Sequence, residues 1–468
     1  MYLTKDNIGK CFLITSILLF VYLIFSPLTG VITNIDEYFT ITVLKFPIGD
    51  VIQLTASDVH PPLYYLMAGL FSQSLLNLKI LSMIPFVILL LISVTKIRND
   101  YGWLTSGLFA FSMIVFSEFF IHYLIARMYS WAILFIVISF IAYLDILKKP
   151  TRTSWIILTV FSVLGAYTHY FAAITSIVLY LLLFIKIYKT QLREFLFSVI
   201  LGIVLYLPWL SILFTQLAKV HNGYWIPQPT FSTILTCFSF FIHATENVVF
   251  CSIMTLIFIG FLILAYKTKD EDVLSGFYVY IGVILLATII SLTFKPILRV
   301  RYLLPASGIL WLSISILVSR IDSKKLLTLL IIFILALAGF SLVKIHQSNN
   351  DLYDEGVNQA EFFNNLSGDN DSIKIISSPL GLIYFIDDLN DSNVYVDNYS
   401  EFYGVNASHF HNIFEFKQMP KEDLDKLIED SGDKDIYIID AWKDYKLNDK
   451  LKKENIFSIK EVTVSRVS

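Results

Sequence analysis

Residues 35–65, IDEYFTITVLKFPIGDVIQLTASDVHPPLYY, and their continuation LMAGLFSQSLL at 66–76 decide how the rest of the chain is threaded. The stretch follows a long apolar run and carries Asp36, Glu37, Asp50 and Asp58, with His60 and a Pro61-Pro62 pair. Adjacent acids just past a membrane helix are costly unless water or a partner receives them. The Pro-Pro step removes two backbone donors and fixes two φ angles, so His60 stands at a stiff corner. Two readings of the acids compete. They cap the next helix, or they form a catalytic loop at the membrane face with Asp36 as general base.

The surroundings of this stretch are those of a membrane protein. Of 468 residues, 56% are hydrophobic and 16% charged, with a mean hydropathy of +0.68, too apolar for one water-soluble core. The first apolar run, 11–31, lacks a small-residue cleavage site and reads as an uncleaved first helix. Further spans are expected at 79–96, 103–120, 129–147, 155–169, 171–187, 195–213, 248–266, 276–293, 302–318 and 326–344. Basic clusters at 96–98 (KIR), 148–152 (KKPTR), 186–193 (KIYKTQLR), 266–269 (YKTK) and 320–325 (RIDSKK) mark alternate ends of these spans. That parity holds only if 63–76 does not cross, so this piece reads as an interfacial or re-entrant helix. The expected fold is mainly α: a polytopic bundle of about eleven spans with a small extracytoplasmic α/β domain after it. The boundaries are 1–345 for the membrane domain, whose first outer loop is 32–78, and 346–468 for the second domain. The amino end is cytoplasmic in this reading and the second domain lies outside.

With that topology the outer side receives 35–65, 118–129, 168–170, 215–247 and 295–302. It also receives cations that break the positive-inside rule: Lys45, Arg127, Lys219, Lys295, Arg299 and Arg301. An anionic ligand accounts for cations at the wrong end of a span, with snorkelling to lipid headgroups as the competing account. No basic stripe suited to nucleic acid is present. Cys11, Cys237 and Cys251 are scattered through apolar sequence without ligand spacing.

Beyond Lys344 the chain turns polar, and 351–468 holds about twice as many acids as bases. Strands are expected at 372–377, 393–397, 435–440 and 457–464, and helices near 356–366, 421–430 and 442–453, an alternation that suggests an α/β domain. It contains neither a glycine-rich phosphate loop nor a nucleophile elbow. Sequons at Asn365, Asn370, Asn390, Asn398 and Asn406 agree with an outside location.

Glycosyl transfer from a lipid phosphate requires a base for the acceptor hydroxyl, cations for the departing phosphate and a groove for the lipid. Asp36 or Glu37 can supply the first, because a carboxylate at a membrane edge is partly desolvated. Arg127, Arg299 and Arg301, with Lys295, can supply the second, since guanidinium matches phosphate oxygens bidentately. Asp58, His60, Tyr64, His169, Tyr170, Tyr224 and Trp225 are candidates for contacts to donor or acceptor. Each has a structural counterpart: a loop hydrogen bond for His60, a pair with Glu118 for Arg127, a packed corner for His169, and the aromatic belt for Tyr224 and Trp225. No cluster has zinc-like spacing, and nothing in the spacing calls for a cofactor or for a divalent ion shared by Asp36, Asp58 and phosphate.

Five motifs occur in order: Asp36-Glu37, Asp58-Val59-His60-Pro61-Pro62-Leu63-Tyr64-Tyr65, Ala126-Arg127-Met128-Tyr129, Thr168-His169-Tyr170-Phe171 and Arg301-Tyr302-Leu303-Leu304-Pro305. Together, over about residues 10–320, they resemble the GT-C fold glycosyltransferases. The branch is that of protein O-mannosyltransferases and lipid A aminoarabinose transferases. The resemblance implies an inverting transferase that uses a polyprenyl or dolichyl phosphate sugar and a hydroxyl acceptor at the outer face. It puts Asp36 in the catalytic acid position with Glu37 beside it, His60 in the donor and acceptor site, and Arg127 and Arg301 toward the lipid phosphate. Surface helices in the first outer loop are a feature of the fold, in agreement with a non-crossing 63–76. The carboxyl domain lacks the β-trefoil pattern of eukaryotic protein mannosyltransferases. A transporter or flippase of lipid-linked sugars is the alternative, and it requires charges deep within spans and symmetry between halves. A scaffold that binds partners through its acidic domain is a third, and it leaves the outer arginines unexplained.

Overall fold

The structure is a computed structural model that describes residues 4–71, 74–221, 226–239, 241, 247–385, 393–397, 401–402, 405–411, 413–441, 445–447, 451–459 and 462–467. The chain forms two compact units. The first comprises Met1–Thr29, Val59–Met67 and Leu76–Asn350; the second comprises Gly30–Asp58, Ala68–Leu75 and Asp351–Ser468.

Helix α1 (Lys5–Ile24) starts on the Thr4 cap and ends ahead of Pro27, rather than running from 11 to 31, because the pre-proline backbone disfavours helix. Helices α2 (Ile35–Leu44) and α3 (Ile48–Ser57) follow in the second unit. Helix α4 (Leu63–Phe71) has nine residues. At about 14 Å it cannot cross a hydrocarbon core of about 30 Å, as expected for 63–76. Helices α5 (Leu75–Ile92) and α6 (Arg98–Val115) are joined by a π-helical turn, and the chain bends sharply at Gly102, whose φ of 87° suits glycine alone. The Ser106 hydroxyl donates to the Ser93 carbonyl (2.7 Å) at this corner. The expected span 103–120 stops at Val115, where Phe116 is extended and a separate short helix α7 (Ser117–Leu124) begins.

Then come α8 (Tyr129–Lys148), α9 (Arg152–Thr168), α10 (Tyr170–Ile187), α11 (Leu192–His221) and α12 (Phe231–Thr236). Helices α13 (Val248–Thr268), α14 (Glu271–Thr293), α15 (Leu304–Ser319) and α16 (Lys324–Gly368) complete the series. Among the described residues nine stretches are long and apolar enough to cross a membrane, fewer than the eleven expected. One of the nine, Leu75–Val115, contains both α5 and α6, and α9 is a short helix of 17 residues. The chain is a multi-pass membrane protein.

Every residue of α15 from Leu304 to Val318 is buried, which makes this helix the centre of the first unit. Small residues permit the close packing: a Cβ on Gly308 would stand 2.7 Å from Val137 Cγ2. Gly9 and Gly107 bring the backbones of α1 and α6 together in the same way. Where α8, α10 and α15 end, ion pairs join neighbouring helices. Lys96 meets Asp145 (2.7 Å), Lys148 meets Asp272 (2.6 Å), Arg320 meets Asp270 (3.2 Å), and Lys186 meets Glu271. Lys5 donates to the Ser319 carbonyl (2.8 Å). Cations from four of the basic clusters read as cytoplasmic therefore gather at one end of the unit.

In the second unit, β1 (Ile373–Ile376), β2 (Val394–Asp397), the small pair β3 (Glu401–Phe402) and β4 (Val405–Asn406), and β5 (Lys417–Met419) precede β6 (Ile436–Ala441), β7 (Lys453–Ile459) and β8 (Val462–Val467). The main sheet has the order β5-β2-β1-β6-β8-β7, parallel through β6 and antiparallel beyond it. Helix α17 (Ala407–Phe410) is a single turn, and α18 (Lys421–Glu429) puts Leu424 and Ile428 against Ile375 and Ile438. All of β1 is buried, the pattern of a central parallel strand.

Two expectations here are corrected. The single strand at 457–464 is a pair, β7 and β8, in antiparallel register. Of the helix expected at 442–453, the described residues 445–447 and 451–452 are not helical: Asp440 accepts from Tyr445 N–H and from Lys453 Nζ (2.8 Å each), and Lys453 already opens β7. Such local side-chain bonds compete with helix formation. The expected boundary at 345/346 lies within α16, which continues unbroken to Gly368.

Candidate functional site

At the opposite end of the first unit, where α8, α10 and α15 begin, four of the expected residues come together. Arg127 lies in the non-helical link between α7 and α8 and is 1% exposed. Its Nη1 donates to the Tyr65 hydroxyl (2.6 Å), with the guanidinium over the Tyr65 ring at 5.7 Å. His169 caps α10: its Nδ1 accepts from Phe171 N–H (3.1 Å). The His60 ring is 6.2 Å from His169, and Tyr302 lies 5.1 Å from it on another side. Arg301 sits over the Tyr302 ring at 5.7 Å.

Burial first, then Arg127, His169 and Arg301, hold His60 well below its ordinary value. Burial, Arg127, Arg301 and His122 bring His169 down to about 3. Both rings are therefore neutral near pH 7, and the charge belongs to the two arginines. Glu118 was the competing partner for Arg127. Its carboxylate instead lies 3.8 Å from His122, burial raises it to about 7, and the cation opposing that rise is Arg301.

An apolar cavity of 360 Å³ opens beside these groups. Phe171, Ile174, Leu213, Leu217, Ile290 and Phe294 form much of its wall, while His60, His169, Tyr170, Gln216 and Tyr302 supply its polar part. The Tyr170 hydroxyl donates to Gln216 Oε1 and accepts from Trp209 Nε1 (3.0 Å). Tyr64 is wholly buried with its hydroxyl 3.2 Å from Ser82 Oγ, the position of a packed core residue. Lys295 and Arg299 share the loop before α15, but the fields that act on the histidines come from Arg127 and Arg301. Tyr224 and Trp225 lie outside the described residues.

Asp36, Glu37 and Asp58 belong to the second unit. Asn34 caps α2 by accepting from Glu37 N–H (3.2 Å), and the Glu37 carboxylate reaches back to Thr33 N–H (2.7 Å) and Thr33 Oγ1 (2.8 Å). This reciprocal cap buries Glu37 completely and leaves Asp36 half-buried in the first turn of α2. Asp58 closes α3, its N–H bonded to the Leu54 carbonyl (2.9 Å). Among the described residues no group of three His, Cys, Asp or Glu is arranged to hold a metal.

Two contributors escaped the sequence reading. Tyr65 and Tyr302 were visible only as parts of motifs.

The fold, helical through the first unit and mixed α/β in the second, is shared with a solved membrane protein, ArnT. The chain is similar in structure to ArnT from Cupriavidus metallidurans in the apo state, with a TM-score of 0.61, 9% identity and 97% of each chain covered. The same protein bound to undecaprenyl phosphate gives a TM-score of 0.60, again with 9% identity and 97% coverage of both chains. No family profile matches the sequence, and no curated protein matches it.

Proposed function

We propose that the chain is an integral-membrane glycosyltransferase that moves a sugar from a polyprenyl phosphate donor to a hydroxyl acceptor, with inversion at the anomeric carbon. The observation that carries this reading is the apolar cavity whose polar part holds two neutral histidines in the field of Arg127 and Arg301. An isoprenoid tail suits the wall and a phosphate suits the cations. The fold is shared with a protein crystallised with undecaprenyl phosphate, which supports the same donor class here.

In the proposed reaction Asp36 takes the proton of the acceptor hydroxyl, and the oxygen attacks the anomeric carbon from the face opposite the phosphate. The bond from that carbon to the phosphate oxygen breaks, and its electron pair leaves on the lipid phosphate, where Arg127 and Arg301 stabilise the added charge. Glu37 holds the first turn of α2 rather than the proton, as its cap to Thr33 suggests. We further propose that this site faces the outer side, with the amino end of the chain cytoplasmic.

Membranes containing the chain, incubated with radiolabelled undecaprenyl phosphate sugars, should consume donor and yield lipid phosphate. Asp36→Asn should lower turnover by about a hundredfold or more while donor still binds. Undiminished turnover in purified Asp36→Asn protein would remove Asp36 from the base role.

A further inference from the structure

His169 has a feature that a merely packed corner does not need. It lines the apolar cavity yet is only 3% exposed, and it stands at the amino end of the 18-residue helix α10. Its Nδ1 accepts the Phe171 N–H, so the proton of the neutral ring must reside on Nε2. With Nδ1 turned back onto its own helix, Nε2–H is the remaining polar edge of a ring that lines the cavity. The amino end of a helix adds a partial positive charge at the same place.

We propose that the amino end of α10 is the seat of the donor phosphate, and that His169 Nε2–H donates the hydrogen bond that fixes a phosphate oxygen there. This assignment rests on the lipid-phosphate reading given above. It makes His169 a neutral ligand: the arginines supply charge, and the imidazole supplies direction. A neutral donor whose other nitrogen is anchored cannot rotate or release its proton as the leaving group gains charge. The phosphate is thereby held in one orientation through the transfer.

Two substitutions separate the ring's two nitrogens. Asparagine keeps an oxygen where Nδ1 stands, and it is a good helix cap, but it removes the Nε2 donor. Glutamine extends an amide N–H to the position of Nε2 and gives up the cap. The solubilised full chain is titrated with undecaprenyl phosphate, and thermal unfolding is followed in parallel. His169→Asn should weaken binding by about tenfold, the scale of one hydrogen bond to a charged group, with the unfolding temperature held. His169→Gln should keep affinity within about threefold of wild type at a lowered unfolding temperature. Wild-type affinity in His169→Asn, with loss in His169→Gln, would reduce the residue to a cap and overturn the assignment alone. No binding of undecaprenyl phosphate by the wild-type chain would overturn the donor reading and this inference together.

Discussion

Where α8, α10 and α15 finish, Lys148, Lys186 and Arg320 each meet a carboxylate of the 270–272 segment. Where the same three helices begin, Arg127 and Arg301 act on tyrosines and on histidines that stay neutral, and the nearby Glu118 is driven toward its uncharged form. One end matches each of these cations with an anion and so joins helices. At the other, Arg127 and Arg301 stand among tyrosine rings and buried histidines beside an apolar cavity, the surroundings proposed above for a lipid phosphate. A transporter would need charge along the spans. Here the ion pairs of Lys148, Lys186 and Arg320 lie at one end of α8, α10 and α15, and Arg127 and Arg301 at the other.

Substitutions at the two ends should therefore fail in different ways. Arg301→Gln should lower transfer by about a hundredfold or more, the range for one lost charge-stabilising donor, with little change in thermal stability. Assay of purified protein at saturating donor and a melting curve in detergent check the two halves of this statement. At the far end, Asp272→Asn removes the partner of both Lys148 and the Tyr101 hydroxyl. It should cost about 1 kcal/mol of stability, because Lys148 is half-exposed, and leave turnover per folded molecule unchanged. A large loss of turnover there would erase the contrast between the ends.

The smallest effect concerns Glu118. Its folded value, about 7, lies above the ordinary 4.5, so the folded chain binds the proton more tightly than the unfolded chain does. The stability this proton supplies is complete below about 4.5 and is lost as pH rises through about 7. Glu118→Gln should flatten the dependence of melting temperature on pH across that window. An unchanged slope would show that another group is responsible.

Much of this was readable from residues alone, for identifiable reasons. A long apolar helix announces itself by length, so α1, α8, α10, α11 and α13 were all foreseen, and the short α4 followed from charge parity. Motifs carrying Arg127, His169 and Arg301 stood out because cations and rings at span ends are expensive without a use. The polar stretch 96–100 separated the expected spans 79–96 and 103–120, but the π-helical turn and the bend at Gly102 that join the two helices there depend on backbone geometry that the side chains do not announce. The paired roles of Asp36 and Glu37 were also hidden, because a cap depends on which side chain turns back to Thr33. At Tyr445 and Lys453, helical spacing in the sequence was outweighed by the bonds that both residues make to Asp440.

The central claim is that the arginine-bearing end of the helical unit holds a lipid phosphate. The most direct measurement is the phosphorus resonance of undecaprenyl phosphate in detergent, recorded with the full chain and with Arg301→Gln. The account predicts a shifted, broadened resonance with the wild-type chain and a return toward the free position with the variant. A resonance that the wild-type chain leaves unmoved would contradict it.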